Sequence, residues 1–184
     1  MKFAFAFILI AASVSAQNPA PAPLPQSACG PWNVKFQINI DDSHPPIPKV
    51  EPRKALVFVI EDQRYMGVND VTVRVGLDGD WVGATLGDSY LFFTVEPGEH
   101  HLCVDIRPGI LNPGRTVSLF GLTAEAGRVY YLRARTDGGR ESLGSYHTIS
   151  IDLDLLNSDE GKFLVASSPL SVSNPKPIKT EGKK

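Results

Sequence analysis

The fold is decided by the stretch Val71–Ile106, which reads VTVRVGLDGDWVGATLGDSYLFFTVEPGEHHLCVDI. Its first residues alternate between apolar and other side chains, and a period of two predicts a strand with one buried face. Three pairs of turn-forming residues divide the stretch: Asp78-Gly79, Gly87-Asp88 and Pro97-Gly98. Asp-Gly is a strong hairpin signal because glycine accepts the positive φ that such turns need. The stretch therefore predicts short β-strands joined by tight turns.

Segments on either side extend this strand pattern. KALVFVIED (54–62) is apolar at odd and even positions alike, which predicts a central strand that is covered on both faces. Thr148–Leu155 alternates regularly between apolar and polar side chains. Short strands between turns, with little helical periodicity, predict an all-β fold: an antiparallel β-sandwich, either immunoglobulin-like or an open barrel.

One helix signal follows the last of these strands. Asn157–Glu160 is typical of a helix start, because asparagine caps N-termini and acidic residues suit the positive end of the helix dipole. Gly161 disfavours a helix. We therefore expect either a short C-terminal helix over Phe163–Ala166 or an edge strand there.

The chain divides into four parts. Met1–Ala16 has an early lysine, an apolar core and small residues at its end, which is the pattern of a secretory signal peptide cleaved after Ala16. Residues 17–31 are rich in proline and predict an extended arm. Residues 32–170 are expected to form a single β-sandwich domain, and residues 171–184 a disordered, lysine-rich tail. The predicted location is periplasmic or secreted.

Charge and hydropathy narrow the classes of partner. The formal net charge of −2 disfavours nucleic acid, because binding to phosphates needs a basic face. No segment after Ala16 is apolar enough to predict a transmembrane anchor.

The chain has two cysteines, Cys29 and Cys103. Oxidising compartments favour pairing, and an even number leaves none over. We expect an intramolecular disulfide, with two buried free thiols as the alternative. If Cys29 reaches Cys103, the arm and Trp32 must cross the second face of the strand that holds Cys103.

Four segments together resemble an uncharacterised family of secreted bacterial β-domains, of the type called domain of unknown function 2846: KALVFVIED, VRVGLDGDWVGATLGDSY, FFTVEPGEHHLCV and LTAEAGRVYYLRAR. The third contains a V-x-P-G-x-H hairpin similar to those of PEGA-like modules. The resemblance covers about half of the predicted mature chain, Lys54–Arg135. It implies a β-sandwich fold and export, and it carries no catalytic residues. A lipid anchor at the cleavage site is not expected, because no cysteine stands there.

His100, His101 and Asp105 are the candidate metal ligands. Adjacent residues of a strand point to opposite faces, so both histidines cannot readily chelate one ion. A zinc site would need further ligands from His44 or His147. The favoured alternative is a pair of histidines that caps a turn, and no metal or other cofactor is predicted.

Asp152 and Asp154 share one face of a predicted strand. Paired carboxylates act as acid and base in glycoside hydrolysis. The favoured alternative is that they form cross-strand ion pairs with Arg133 and Arg135.

A further hypothesis is that aromatic residues form an exposed platform that binds sugar rings or peptides. The candidates are Trp32, Trp81, Tyr90 and Tyr131, together with Tyr146. The alternative is that these side chains fill the core.

The predicted function is a non-enzymatic, exported β-sandwich module that binds an envelope protein or glycan, or has a structural role there, as a monomer or weak oligomer. One alternative is a hydrolase of envelope glycan or ester that uses Asp152 and Asp154, or the region of His100 and His101. Another alternative is a subunit of an envelope assembly that pairs through an uncovered strand edge.

Overall fold

The computed structural model describes residues 28–63, 71–106, 116–140 and 147–177. The predicted signal peptide, residues 17–27 of the arm and residues 178–184 of the tail lie outside the described residues. So do Tyr146, and the side chain of His147.

Ten strands and one helix make up the described part of the chain. Their bounds are β1 (Val34–Asp41), β2 (Ala55–Gln63), β3 (Thr72–Leu77), β4 (Asp80–Leu86), β5 (Tyr90–Val95), β6 (Gly98–Ile106), β7 (Thr116–Ala124), β8 (Val129–Arg140), β9 (His147–Leu155), α1 (Ser158–Ser167) and β10 (Leu170–Pro177). Sheet A has six strands in the order β1-β10-β5-β2-β8-β9, and sheet B has four in the order β4-β3-β6-β7. The prediction of an all-β sandwich is confirmed.

Strand β2 lies in the middle of sheet A and is buried on both faces, as the apolar run 54–62 predicted. Ala55, Val57 and Val59 belong to the core between the two sheets. Leu56, Phe58 and Ile60 form a second cluster on the opposite face of sheet A. Complete burial of such a side chain stabilises the fold by about 1.5–3 kcal/mol.

The sandwich is not purely antiparallel, which corrects one part of the prediction. β2 pairs in parallel with β8, and β10 makes a single parallel bridge to β5. β3 and β4 follow β2 in sheet B, the chain returns to sheet A as β5, and β6 and β7 again lie in sheet B before β8. Parallel strands cannot be joined by a tight hairpin and need a long connection. The five strands β3–β7 provide this connection between β2 and β8.

Helix α1 covers the second face of sheet A. Asn157 is the N-cap, and its side chain accepts hydrogen bonds from the backbone N–H groups of Asp159 and Glu160, as the sequence predicted. The helix begins five residues before the predicted Phe163 and includes Gly161, which is buried against Tyr131. The glycine allows this approach, because a Cβ there would overlap the Cβ, Cγ and Cδ1 atoms of the tyrosine.

The folded domain extends beyond both of its predicted limits, residues 32 and 170. β10 pairs with β1 over its whole length to Pro177, so the sequence after 170 begins with a strand of sheet A instead of a disordered tail. At the other end, Ala28 and Cys29 are buried, so the domain begins before residue 32. The chain reaches β1 only after packing on sheet B.

Two serines join the sheets at opposite sides of the sandwich. Ser173 of β10 accepts a hydrogen bond from the backbone N–H of Ala84 in β4, at 2.9 Å. Ser118 of β7 accepts one from the backbone N–H of Leu153 in β9, at 3.2 Å. Strands of different sheets are thereby held together where no ladder connects them.

The close packing of Gly161 generates a test. An alanine in a helix is usually worth up to about 1 kcal/mol more than a glycine. Here we expect Gly161→Ala to lower the free energy of unfolding by about 1–3 kcal/mol, because the added methyl group collides with Tyr131. Urea unfolding measures the change. The matched control is Gly121→Ala on β7, where nothing lies within 4 Å of the added Cβ and no loss of stability is expected. Equal effects of the two substitutions would contradict the packing argument.

Candidate functional site

The candidate site lies on the outer face of sheet B, the face turned away from sheet A. Along β6, Leu102 and Val104 enter the core between the sheets, so Cys103 and Asp105 point outwards. Both are nevertheless completely buried. A segment outside the sheet must therefore cover them.

The covering segment is the end of the arm. Cys29 and Cys103 lie at disulfide distance, with Cα atoms 5.2 Å apart, which agrees with the predicted pairing. Gly76 is the cross-strand neighbour of Cys103, and a Cβ at Gly76 would lie 2.9 Å from the carbonyl oxygen of Ala28. The arm can lie flat on the sheet because this position has no side chain.

A buried ion pair lies under the arm. Arg74 and Asp105 face each other across β3 and β6, and Nη2 of the arginine donates to Oδ2 of the aspartate at 2.7 Å. Nη1 of Arg74 donates to the carbonyl oxygens of Trp32 and Val34, at 3.3 and 3.1 Å. The side chains of the ion pair are 2% and 0% exposed. Breaking such a pair by removing one partner costs about 3–5 kcal/mol, because a buried charge is left uncompensated.

Trp81 on β4 packs beside this ion pair. The guanidinium carbon of Arg74 lies 4.3 Å from the centre of the indole ring, in cation–π contact. Nε1 of Trp81 donates to the carbonyl oxygen of Pro31 at 2.7 Å, and Phe36 meets the ring edge-on. Trp81 is therefore a structural contact between β4, the arm and β1, and it is only partly available to a ligand.

Three exposed apolar side chains flank the covered ion pair, and we call them the arm patch: Trp32, Val117 and Leu119. Trp32 is 65% exposed although its carbonyl oxygen is bound by Arg74. Val117 and Leu119 are the direct cross-strand neighbours of Asp105 and Cys103, and they are 37% and 44% exposed. Since neighbouring strands are about 4.8 Å apart, β7 lies about 10 Å from β3, where Arg74 holds the arm.

His100 is engaged in a second contact on sheet B. Its Nδ1 lies 2.6 Å from Oδ2 of Asp78, and its Nε2 lies 2.8 Å from the carbonyl oxygen of Glu96. Asp78 and Gly79 have positive φ, as the Asp-Gly hairpin signal predicted. The other carboxylate oxygen of Asp78 accepts the backbone N–H of His101 at 2.7 Å. This network, the Asp78 latch, ties the β3–β4 turn to the start of β6.

The latch favours the charged forms of both side chains. Burial alone would lower the pKa of His100, but the hydrogen bonds to Asp78 and to the Glu96 carbonyl raise the pKa above its ordinary 6.5. Burial alone would raise the pKa of Asp78, but hydrogen bonds from His100 and His101 hold this pKa below 3.8. Both partners of His100 are acceptors, so a doubly protonated ring satisfies both contacts.

The candidate metal ligands are placed apart from one another by these contacts. Both ring nitrogens of His100 face acceptors in the Asp78 latch, and Asp105 is bound by Arg74 beneath the arm. Only the side chain of His101 is largely exposed, at 56%. Within the described parts of the chain, no group of three or more histidine, cysteine or acidic side chains could hold a metal ion.

Asp152 and Asp154 lie on the exposed side of β9, in register with Arg135 and Arg133 of β8. The register agrees with the predicted cross-strand pairing. The carboxylates nearest to the guanidinium of Arg133 belong to other elements, however: Glu160 of α1 at 2.9 Å and Asp62 of β2 at 4.0 Å. Arg133 thus joins the helix to sheet A. It does not form the predicted ion pair with Asp154.

Tyr90 and Tyr131 are core residues and do not join Trp32 and Trp81 in an exposed platform. They are 3% and 6% exposed, and both pack around Phe58, with Tyr131 stacked on its ring at 5.1 Å. Burial raises the pKa of each tyrosine above 10.0. Of the four aromatic candidates, Trp32 alone is widely open to solvent.

The ion pair between Arg74 and Asp105 is the feature that sequence reasoning missed. Alternation along β3 placed Arg74 on the face opposite the core, where a charged side chain is expected to meet water. The sequence did contain one indication that this face is covered. If Cys29 pairs with Cys103, the arm must pass over the residues next to Cys103, and Asp105 is two residues away.

A scan against protein-family models, a search of curated proteins and a search of solved structures found no match for this chain. The family resemblance noted from the sequence therefore stays a prediction. Within the described residues, no helix is long and apolar enough to cross a membrane.

The arm generates the first prediction for this site. We expect Cys29→Ser to lower the free energy of unfolding by about 4 kcal/mol, because the bond closes a loop between residues 74 apart in sequence. Urea unfolding measures the loss, and far-ultraviolet circular dichroism should show unchanged strand content. The control is the double variant Cys29→Ser/Cys103→Ser, which should lose no more than the single variant. A loss below about 1 kcal/mol would contradict a bonded arm.

The Asp78 latch generates the second prediction. A raised pKa in the folded state stabilises the protein fully below pH 6.5, and the contribution disappears as the pH rises through the raised value. The lowered pKa of Asp78 stabilises the folded protein fully above pH 3.8, and this stabilisation is lost as the pH falls through the lowered pKa. We expect His100→Gln to cost about 1 kcal/mol near pH 5.5, and progressively less in alkaline buffer.

Chemical unfolding at a series of pH values measures this difference between wild type and variant. His101→Gln is the matched control, since its ring nitrogen lies 3.9 Å from Asp78 and its side chain is more exposed than that of His100. A cost for His100→Gln that is constant from pH 5 to pH 9 would show that the latch does not depend on the charge of the imidazole.

Proposed function

We propose that the protein is exported to the periplasm or secreted, and that it works without catalysis, as a binding module for an envelope protein or glycan. The disulfide supports export, because such bonds persist in oxidising compartments. The pattern of a cleaved signal peptide at Met1–Ala16 and the resemblance to secreted β-domains point the same way.

The observation that carries the binding proposal is the exposure of Trp32 on an arm that is held in place. Cys29 anchors the arm three residues before Trp32, and Arg74 binds the carbonyl oxygen of Trp32 itself. The backbone of this tryptophan is thus fixed while its ring is 65% exposed. An exposed ring on a fixed backbone loses little conformational entropy on binding, and tryptophan is enriched at the centres of interfaces.

The surroundings of Trp32 suit the same role. Val117 and Leu119 extend the apolar surface across β7, and Gly121, the next outward position on that strand, has open space above it. Exposed apolar side chains that lie on one face of a sheet are typical of a recognition site. Of the residues considered for hydrolysis, His100 is bound within the fold by Asp78 and the Glu96 carbonyl.

The proposal is tested by site-specific cross-linking in cells. A photoreactive phenylalanine analogue at Leu119 should cross-link to an envelope protein, and the band should disappear in the background of Trp32→Ala. Purified protein should also be tested for co-sedimentation with isolated cell-wall glycan. We expect Trp32→Ala to weaken binding to the true partner by at least about 30-fold, the effect of removing an interface hot spot.

Phe163 provides the matched control, because it is 70% exposed but lies on α1, on the other side of sheet A. Phe163→Ala should leave binding unchanged, and the photoreactive group at Phe163 should not give the same band. The binding proposal would be wrong if Trp32→Ala and Phe163→Ala behaved alike. A turnover of ester or glycan substrates that is abolished by Asp154→Asn would instead establish the hydrolase alternative.

A further inference from the structure

A second surface, independent of the arm patch, is the open edge of sheet A. β1 is the terminal strand of this sheet, and among the described residues only β10 pairs with it. The strand has eight residues, Val34–Asp41, and contains neither a proline nor a bulge. An edge of this kind is a template for pairing with another strand unless something protects it.

The prolines of β10 establish which backbone groups of β1 point to the open edge. Pro175 and Pro177 are the partners of Phe36 and Val34, and proline has no N–H to donate. These pairs must therefore be the non-hydrogen-bonded pairs of the antiparallel ladder, and β10 bonds instead to the residues between them. It follows that the N–H and C=O groups of Phe36, Ile38 and Ile40 point away from β10, towards the open edge.

The sequence of β1 is complementary to itself in one antiparallel register. With Ile38 opposite Ile38 of a second copy, Phe36 faces Ile40, Gln37 faces Asn39 and Lys35 faces Asp41. Apolar side chains then meet apolar ones, polar meet polar, and each lysine meets a carboxylate. A shift by one residue would set apolar against polar faces, and a shift by two would separate the charges.

The backbone agrees with this register. Phe36, Ile38 and Ile40 become the hydrogen-bonded pairs, and they are the residues whose backbone groups point to the edge. Gln37 and Asn39, like Lys35 and Asp41, become the non-hydrogen-bonded pairs, in which side chains of facing residues come closest. The ladder geometry requires Phe36, Ile38 and Ile40 to pair with one another, and among the registers that do so the order of side chains selects a centre at Ile38.

We propose that the partner at this edge is a second copy of the chain, with the two β1 strands antiparallel about a twofold axis at Ile38. The six-stranded sheets of the two copies then form one continuous sheet. Such an interface is isologous, so every contact occurs twice.

The surroundings of β1 in one copy favour this partner. Lys35 lies opposite Lys176 of β10, a like-charged cross-strand pair, and the second copy places a carboxylate beside it. Ile40 is 38% exposed in the single chain and would be covered by Phe36 of the second copy. Because the contact is one strand edge and therefore small, the dimer is weak and depends on concentration.

Sedimentation velocity of the purified protein from about 1 µM to about 1 mM tests the proposal. We expect reversible dimers whose dissociation constant rises about ten-fold in Lys35→Asp and in Asp41→Lys, since each change sets like charges against each other twice. The double variant Lys35→Asp/Asp41→Lys should restore wild-type association. A mixture of the two single variants should form heterodimers, because each then supplies the charge that the other lacks. Circular dichroism checks that all variants are folded.

The register is tested with a cysteine on the proposed axis. In Ile38→Cys the two added thiols would have Cα atoms about 5.5 Å apart, within the range of a disulfide. Mild oxidation should give a covalent dimer on a non-reducing gel, and Phe163→Cys, on the exposed side of α1, should not. A strict monomer at about 1 mM, an association indifferent to the charge exchanges, or equal cross-linking of the two cysteine variants would overturn the proposal.

Discussion

The buried charge of Arg74 is the constraint on which the outer half of the structure depends. A guanidinium at 2% exposure needs a counter-charge and acceptors for its N–H groups, and here Asp105 and two backbone carbonyls provide them. Those carbonyls belong to Trp32 and Val34, which lie between the disulfide and the first strand. The crossing of sheet B by the arm therefore places the two acceptors of Arg74 Nη1, and the disulfide holds the arm in that position.

This arrangement determines how the two ends of the described chain enter the sandwich. After crossing sheet B, the chain turns into β1 at the edge of sheet A, where it meets β10. β10 is linked to the rest of sheet A by a single parallel bridge, and Ser173 links it to β4 of the other sheet. The first and last strands thus form a ribbon along one side of the molecule, supported by both sheets. The outer edge of that ribbon is the open edge of β1.

The two proposed surfaces arise from this same arrangement. The arm leaves Trp32 exposed above the ion pair, and its continuation as β1 leaves a strand edge exposed at the side of the sandwich. They nevertheless use different chemistry. Recognition through Trp32 depends on the side chain of a fixed aromatic residue, whereas pairing through β1 depends on backbone groups and on the order of residues along the strand.

Much of the fold could be predicted, because strands, turns and caps are encoded by neighbouring residues. The alternation of Thr148–Leu155, the Asp78-Gly79 hairpin and the Asn157 cap each depend on a few adjacent positions. Pairing of the two cysteines followed from their number and from the predicted compartment. The candidate site was predicted less well. Trp32 was named, but Arg74 and its ion pair with Asp105 were not.

The sequence by itself determined where most of the strands lie, which of their positions alternate and where the chain turns, since these properties depend on residues close together in the chain. Only the tertiary structure decided which of two equivalent faces is covered. Alternation places Asp105 and Tyr131 on faces opposite the core between the sheets, and it cannot show that an arm covers one and a helix the other. Burial is decided by distant segments, so a pattern within one strand records which residues share a face but not what lies on it.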